Sequence, residues 1–220
     1  MATIVSGGRH MIESSTVTSQ QSIRDPLFKI AGWLSICGQI LIVPIIIIAI
    51  LSETNPSFKP VFLFVLYIPL VFFGRVIEVY IFIQFRRLLN ERYDFYKANV
   101  IITIQIIINI ILGAKDILMA NIKGLLPHST FVGILDIGLG ILSLLLYGTI
   151  GIVLGVSLLA IREDPYGLLR TFAIIEIVAS SFLVSIILFP LGIPLVILNF
   201  VILGIVFLKA AETEAHVEFV

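Results

Sequence analysis

The chain has 220 residues, 59% of them hydrophobic and only 13% charged, and its 14 basic and 14 acidic side chains balance to zero net charge. Soluble domains carry about 25% charged residues, so this chain has too few to cover a water-facing surface, and its mean hydropathy of +1.15 points to lipid as the surrounding medium. Zero net charge leaves no basic footprint for nucleic acid. The lone Cys37 has no internal disulfide partner.

In chain order, residues 1–27 are polar and rich in Ser and Thr. They lack the short apolar core and small-residue cleavage site of a secretory signal, so they read as a cytoplasmic tail. The first apolar run, 30–51, is uncharged and long enough for the ~20 residues that cross a bilayer core. Pro44 lies inside it, a kink that membrane helices tolerate. Residues 52–57 form a turn by composition, and their Asn55-Pro56-Ser57 has proline where a glycosylation acceptor forbids it.

The second span is expected at 61–83, followed by a polar segment at 84–97 with Arg86, Arg87, Arg92 and Lys97. The third is expected at 98–119, then a loop with Gly124 and Pro127. The fourth covers 131–160, long enough to be tilted, kinked or protruding. Residues 161–170 are a short polar connection. The apolar stretch 171–208 is too long for one span and fits two, 171–189 and 191–208, turning at Pro190-Leu191-Gly192-Ile193-Pro194. No polar residue marks that turn, so one span plus a re-entrant element is the alternative. Residues 210–220 read as a second cytoplasmic tail around a bundle at 28–209.

The expected fold is therefore all-α: a polytopic transmembrane bundle of six spans in three hairpins, both termini cytoplasmic. With the N-terminus inside, Arg9, Arg24, Lys29, Arg86, Arg87, Arg92, Lys97, Arg162, Arg170 and Lys209 fall on the inner side. Lys59, Lys115 and Lys123 fall outside, a clear positive-inside bias. Leu88, Leu89, Arg92, Asp94 and Tyr96 match Leu158, Leu159, Arg162, Asp164 and Tyr166 at a spacing of 70. That match fits either a parallel repeat of hairpins or two inner loops under one charge rule.

Polar residues within spans are the candidates for a site, because a charge at the centre of a span costs about 2.5–3.5 kcal/mol on insertion scales. Arg75 and Glu78 share a helical face and can pair. Glu176 is expected at a similar depth, giving a cluster of Arg75, Glu78 and Glu176 near the inner side, suited to a structural lock or to proton or cation exchange. Gln105, Asn109 and Asp116 form one polar stripe on an Ile-rich helix, available for interhelical hydrogen bonds or a wet cavity. Asp136 can join them by pairing with Lys115 across a short connection.

On the fourth span Asp136, Gly140, Ser143, Tyr147 and Gly151 share a face. With Gly148 and Gly155, the glycines Gly140 and Gly151 invite close approach of another helix, within the chain or in a homo- or hetero-oligomer. Trp33 and several tyrosines near span ends suit the membrane interface. The histidines His10, His128 and His216 show no metal-ligand spacing. There is no phosphate loop, His-Glu-x-x-His or nucleophile-elbow motif either. No metal or cofactor is expected, and the lipid bilayer is the expected partner. A non-enzymatic protein acting through helix packing or association, in a prokaryotic plasma membrane, is the leading reading. A small transporter or channel for protons, cations or a small solute is the alternative, and an intramembrane enzyme ranks last.

Overall fold

The computed structural model describes residues 25–41, 44, 47, 66–126, 129–161, 164, 167–185 and 187–217. The N-terminal tail before residue 25, the 52–57 turn, most of 42–65, His128, Arg162, Tyr166 and the last three residues lie outside them, as do the expectations placed there. The described residues form six α-helices and no strand: α1 (Asp25–Gly38), extended by a 3₁₀ turn at Gln39–Leu41, α2 (Ile68–Arg92), α3 (Asn99–Leu125), α4 (Thr130–Leu158), α5 (Leu168–Val184) and α6 (Phe189–Val217). Four stretches, Ile68–Arg92, Asn99–Leu125, Thr130–Leu158 and Phe189–Glu212, are long and apolar enough to cross a membrane. At 17 residues, α5 is roughly 25 Å long, slightly short of a ~30 Å hydrocarbon layer.

Local chemistry sets the helix ends. Proline in the first turn of α2 gives up an N–H that would have no partner there. After Arg92 the chain turns through Asp94 at φ 45°, a left-handed conformation that aspartate accepts more readily than most residues. Ser129 caps α4 by accepting a hydrogen bond from the Val132 amide. Before α5, Gly167 takes φ +65°, and the Asp164 carboxylate accepts from the Arg170 amide at 3.0 Å, serving an otherwise open N–H of the first turn.

Several boundaries differ from the sequence expectation. The second helix does not stop at 83 but runs to Arg92, because Arg87 and Glu91 pair one turn apart at 2.9 Å and Leu88 and Leu89 are buried. Residues 210–217 continue α6: Ala210, Ala211 and Glu212 favour helix, and Arg92 Nη2 donates to the Ala210 carbonyl at 3.1 Å. The turn between the last two helices lies at 185–188, ahead of the expected Pro-Leu-Gly-Ile-Pro centre. There Ser185 donates to Ser181 O at 3.1 Å and Leu188 to Ser185 O at 3.0 Å. Pro190 falls in the first turn of α6, where proline is tolerated, and Pro194 lies inside the helix.

Each helix packs on its neighbours in sequence, and α6 closes on α1, so the six form a ring. The α1–α6 seam is a glycine crossing. A Cβ on Gly32 would lie 2.9 Å from the Gly204 carbonyl oxygen, and one on Gly204 would lie 2.8 Å from the Gly32 oxygen, so the backbones touch. Ser35 Oγ donates to the Phe200 carbonyl at 2.7 Å across the same seam.

The densest core lies at the end that carries Arg86, Arg87, Arg92, Lys97, Arg170 and Lys209, hereafter the arginine end. There Phe85 meets Phe172 edge-on at 5.4 Å and Phe207 at 6.4 Å, and Phe28 stacks on Phe207 at 6.2 Å. The Arg87 guanidinium lies over Phe28 at 5.8 Å. Outward faces of α3 and α4 show Ile104, Ile107, Ile110, Ile134 and Ile137 to the surroundings, a belt that suits lipid and not water.

Candidate functional site

Two linked sets of polar side chains lie inside the ring. The first is centred on Arg75 of α2. Its Nη1 donates to Glu78 Oε2 at 3.2 Å, one helical turn away, and to Asn109 Oδ1 of α3 at 2.9 Å. Its Nη2 donates to Asp116 Oδ2 at 3.0 Å. Asn109 and Asp116 are seven residues apart, two turns of one helix face, which matches the reach of a forked guanidinium. Lys115 Nζ lies 2.8 Å from Asp116 Oδ1. Arg75 and Lys115 thus face Glu78 and Asp116, and the four charges cancel.

Room for Arg75 comes from Gly113, where a Cβ would stand 3.1 Å from Arg75 Cγ. A cavity of about 330 Å³ adjoins the cluster, lined among others by Gln39, Tyr67, Gly74, Arg75, Glu78 and Asp116. On the outer face of α2 and α3, a groove of about 350 Å³ between Phe72, Val76 and Ile110 reaches Arg75 and Asn109.

The second set is centred on Glu176 of α5. Its Oε2 accepts from Asn199 Nδ2 of α6, and its Oε1 accepts from Ser180 Oγ one turn on at 3.3 Å. Glu176, Ser180 and Asn199, with Gln105, Tyr147 and a wall of apolar side chains, line a cavity of about 20 Å³ on the bundle axis. Tyr147 of α4 joins the two sets. Its ring lines this cavity while its hydroxyl donates to Glu78 Oε1.

The structure therefore groups the candidates differently from their sequence pattern. Glu176 does not contact Arg75; it lies across Tyr147 from Glu78. Arg75 and Glu78 are not near the arginine end. Because α2 extends to Arg92, Arg75 is seven residues from Ile68 and far from Arg92, so the cluster sits toward the opposite end. The stripe on α3 splits: Asn109 and Asp116 serve Arg75, while Gln105 belongs to the Glu176 cavity. Asp136 joins neither set. Its carboxylate pairs with Lys123 at 2.6 Å, near the α3–α4 connection, and Lys115 is held by Asp116 instead.

Of the α4 glycines, three seat α5. A Cβ on Gly148 would lie 2.7 Å from the Ser180 carbonyl oxygen, and one on Gly155 2.8 Å from that of Ala173. A Cβ on Gly151 would run into the Ser180 side chain and the Glu176 carboxylate. Gly140 meets nothing within 4 Å among the described residues, so it is not a packing position there. Sequence reasoning missed Asn199, Gly113 and the Gly32–Gly204 crossing. Asn199 had a visible signal, since it is the one polar side chain between Phe189 and Leu208. The chain matches no protein-family model, no curated protein and no solved structure.

Proposed function

We propose that this chain is a non-enzymatic multi-pass membrane protein, with six transmembrane segments and both termini cytoplasmic, that acts through helix packing and association within the bilayer. The three-way fastening of Arg75 to Glu78, Asn109 and Asp116 carries the reading. Charges so paired hold helices together, and with Lys115 the cluster is neutral. Six segments place Arg86, Arg87, Arg92, Arg170 and Lys209 on one side, as the positive-inside rule requires. The compact chain and short connections fit a prokaryotic plasma membrane.

Since Gly148, Gly151 and Gly155 already seat α5, association through α4 would use its outward face, where Ile134, Ile137 and Ile141 are exposed. The test is cysteine cross-linking in intact membranes from those three positions, with Cys37→Ser as background. A discrete cross-linked species, with no solute flux from proteoliposomes, supports the reading. Flux without cross-linking overturns it.

One observation favours a second reading, a small carrier for protons or cations: Glu176 has no cationic partner among the described residues, although the Arg75 cluster is balanced. Such a carrier would move charge across proteoliposomes, and Glu176→Gln would stop it.

A further inference from the structure

We infer that the cavity enclosed by Glu176, Asn199, Gln105 and Ser180 is a binding site for one small monovalent cation of about sodium size. The argument starts from unmet acceptors. Gln105 and Asn199 are each only 2% exposed, and both line the cavity. Yet Gln105 Oε1 and Asn199 Oδ1 have no hydrogen-bond donor among the described residues. A buried polar oxygen left bare forfeits the hydrogen bonds it would make in water, so two in one cavity call for an occupant.

The orientation of Asn199 is not free. Only its NH₂ edge can face a carboxylate, so the bond to Glu176 Oε2 fixes the amide oxygen as an available acceptor. The Ser180 and Tyr147 hydroxyl hydrogens are also directed at carboxylates, of Glu176 and Glu78. Apart from the Gln105 amide N–H groups, the polar side-chain atoms lining the cavity are therefore acceptors. A water molecule's two hydrogens would serve the two bare amide oxygens but leave the carboxylate without a cation, whereas a monovalent cation serves all three.

Charge and size agree. Glu176 forms no ion pair among the described residues, while the Arg75 cluster is neutral as it stands. As a carboxylate, Glu176 is thus uncompensated inside the bundle, where an isolated charge takes up a proton unless a cation offsets it. The cavity volume, about 20 Å³, is on the order of one water-sized particle. One carboxylate with neutral amide and hydroxyl oxygens suits a monovalent ion. Divalent ions draw on more carboxylates or on a hydrated shell that this space does not hold, and the described residues contain no group of three His, Cys, Asp or Glu side chains.

The site joins α3, α4, α5 and α6, so an ion there would fasten the ring where direct side-chain bonds run out. The inference does not rest on the packing reading, and an ion that binds and never crosses the membrane is compatible with it. Failure to bind would leave the Arg75 argument untouched.

The test uses the full chain in nanodiscs at pH 8, exchanged into choline chloride and dialysed against ²²Na⁺ or, as a potassium surrogate, ⁸⁶Rb⁺. The expected result is retention of about one ion per chain, displaced by excess sodium or potassium chloride but not by choline chloride. Ion addition should also raise the midpoint of thermal unfolding by roughly 5 °C. Glu176→Gln should lower retention at least tenfold. If that variant does not fold, Gln105→Leu, which removes a neutral ligand and leaves an apolar side chain, should do so. The inference is overturned if the wild-type chain retains neither ion above the choline control. Undiminished retention in Glu176→Gln, or in Gln105→Leu where that stands in for it, overturns it equally.

Discussion

Arg75 and Asp116, 41 residues apart in sequence, meet at 3.0 Å and tie α2 to α3. The contact needs three conditions at once. Asp116 must sit two turns from Asn109 on the same face of α3, Gly113 must leave space for the arginine stem, and Glu78 must take the other branch of the fork.

Removing one member of this cluster should cost more than removing two. Arg75→Leu leaves Glu78 and Asp116 without their shared cation, and breaking a buried pair from one side costs about 3–5 kcal/mol. The side chains are partly exposed, at 29% for Arg75 and 21% for Asp116, which puts the expectation at the lower end. Thermal unfolding in detergent should show a midpoint lowered by roughly 6–12 °C for Arg75→Leu. The double variant Arg75→Leu/Glu78→Leu, which leaves Asp116 paired with Lys115, should recover part of that loss. Additive losses would mean that the two residues do not interact.

Gly113 offers a subtler perturbation of the same cluster. Gly113→Val places branched carbons where Arg75 Cγ lies and should push the guanidinium off Asn109 and Asp116. Expected is a destabilisation of about 1–3 kcal/mol, largely absent when the same change is made in the Arg75→Leu background. The readout is a double-mutant cycle on unfolding midpoints; an unchanged Gly113→Val effect in both backgrounds contradicts it.

The α4 glycines should divide sharply. Gly151→Ala brings a methyl group into the Ser180 side chain and the Glu176 carboxylate, and should cost about 1–3 kcal/mol by overpacking. Gly140→Ala meets no neighbour within 4 Å among the described residues. It should be neutral or slightly stabilising, since alanine favours helix by up to ~1 kcal/mol. Equal effects of the two changes on the unfolding midpoint would contradict the α4–α5 seam.

Sidedness has its own check. A reporter fused after Val220 should be active only when it resides in the cytoplasm, and a cysteine at exposed Leu125 should react with an impermeant reagent added from outside. The reverse labelling pattern would invert the bundle.

Much of the helical framework was legible because a span announces itself by length and apolarity alone. The local pairing of Arg75 with Glu78 was equally accessible, since one helical turn brings such residues together. Which helices meet was less so. Periodicity gives the face on which Asp116 lies but not the residue opposite, so Asp116 could as well have left Lys115 free for Asp136. The end of α2 was hidden for a related reason: Arg86, Arg87 and Arg92 resemble a loop in composition, yet Leu88 and Leu89 between them are buried and keep the helix going. Neither Gly32 nor Gly204 has another small residue four positions away, so no small-xxx-small spacing signals that they cross. The turn that follows α5 has a single polar residue, Ser185, among apolar neighbours, too little to mark it.

The account as a whole requires that the ring of helices be surrounded by lipid, with Ile107, Ile110 and Ile137 facing acyl chains. Washing expressing membranes at alkaline pH and then extracting them with detergent tests this directly. The chain should stay in the pellet through the wash and enter solution only with detergent. Release by the wash alone, as a monodisperse protein that remains in solution with no detergent present, would contradict the bilayer placement on which the interior charge arguments rest.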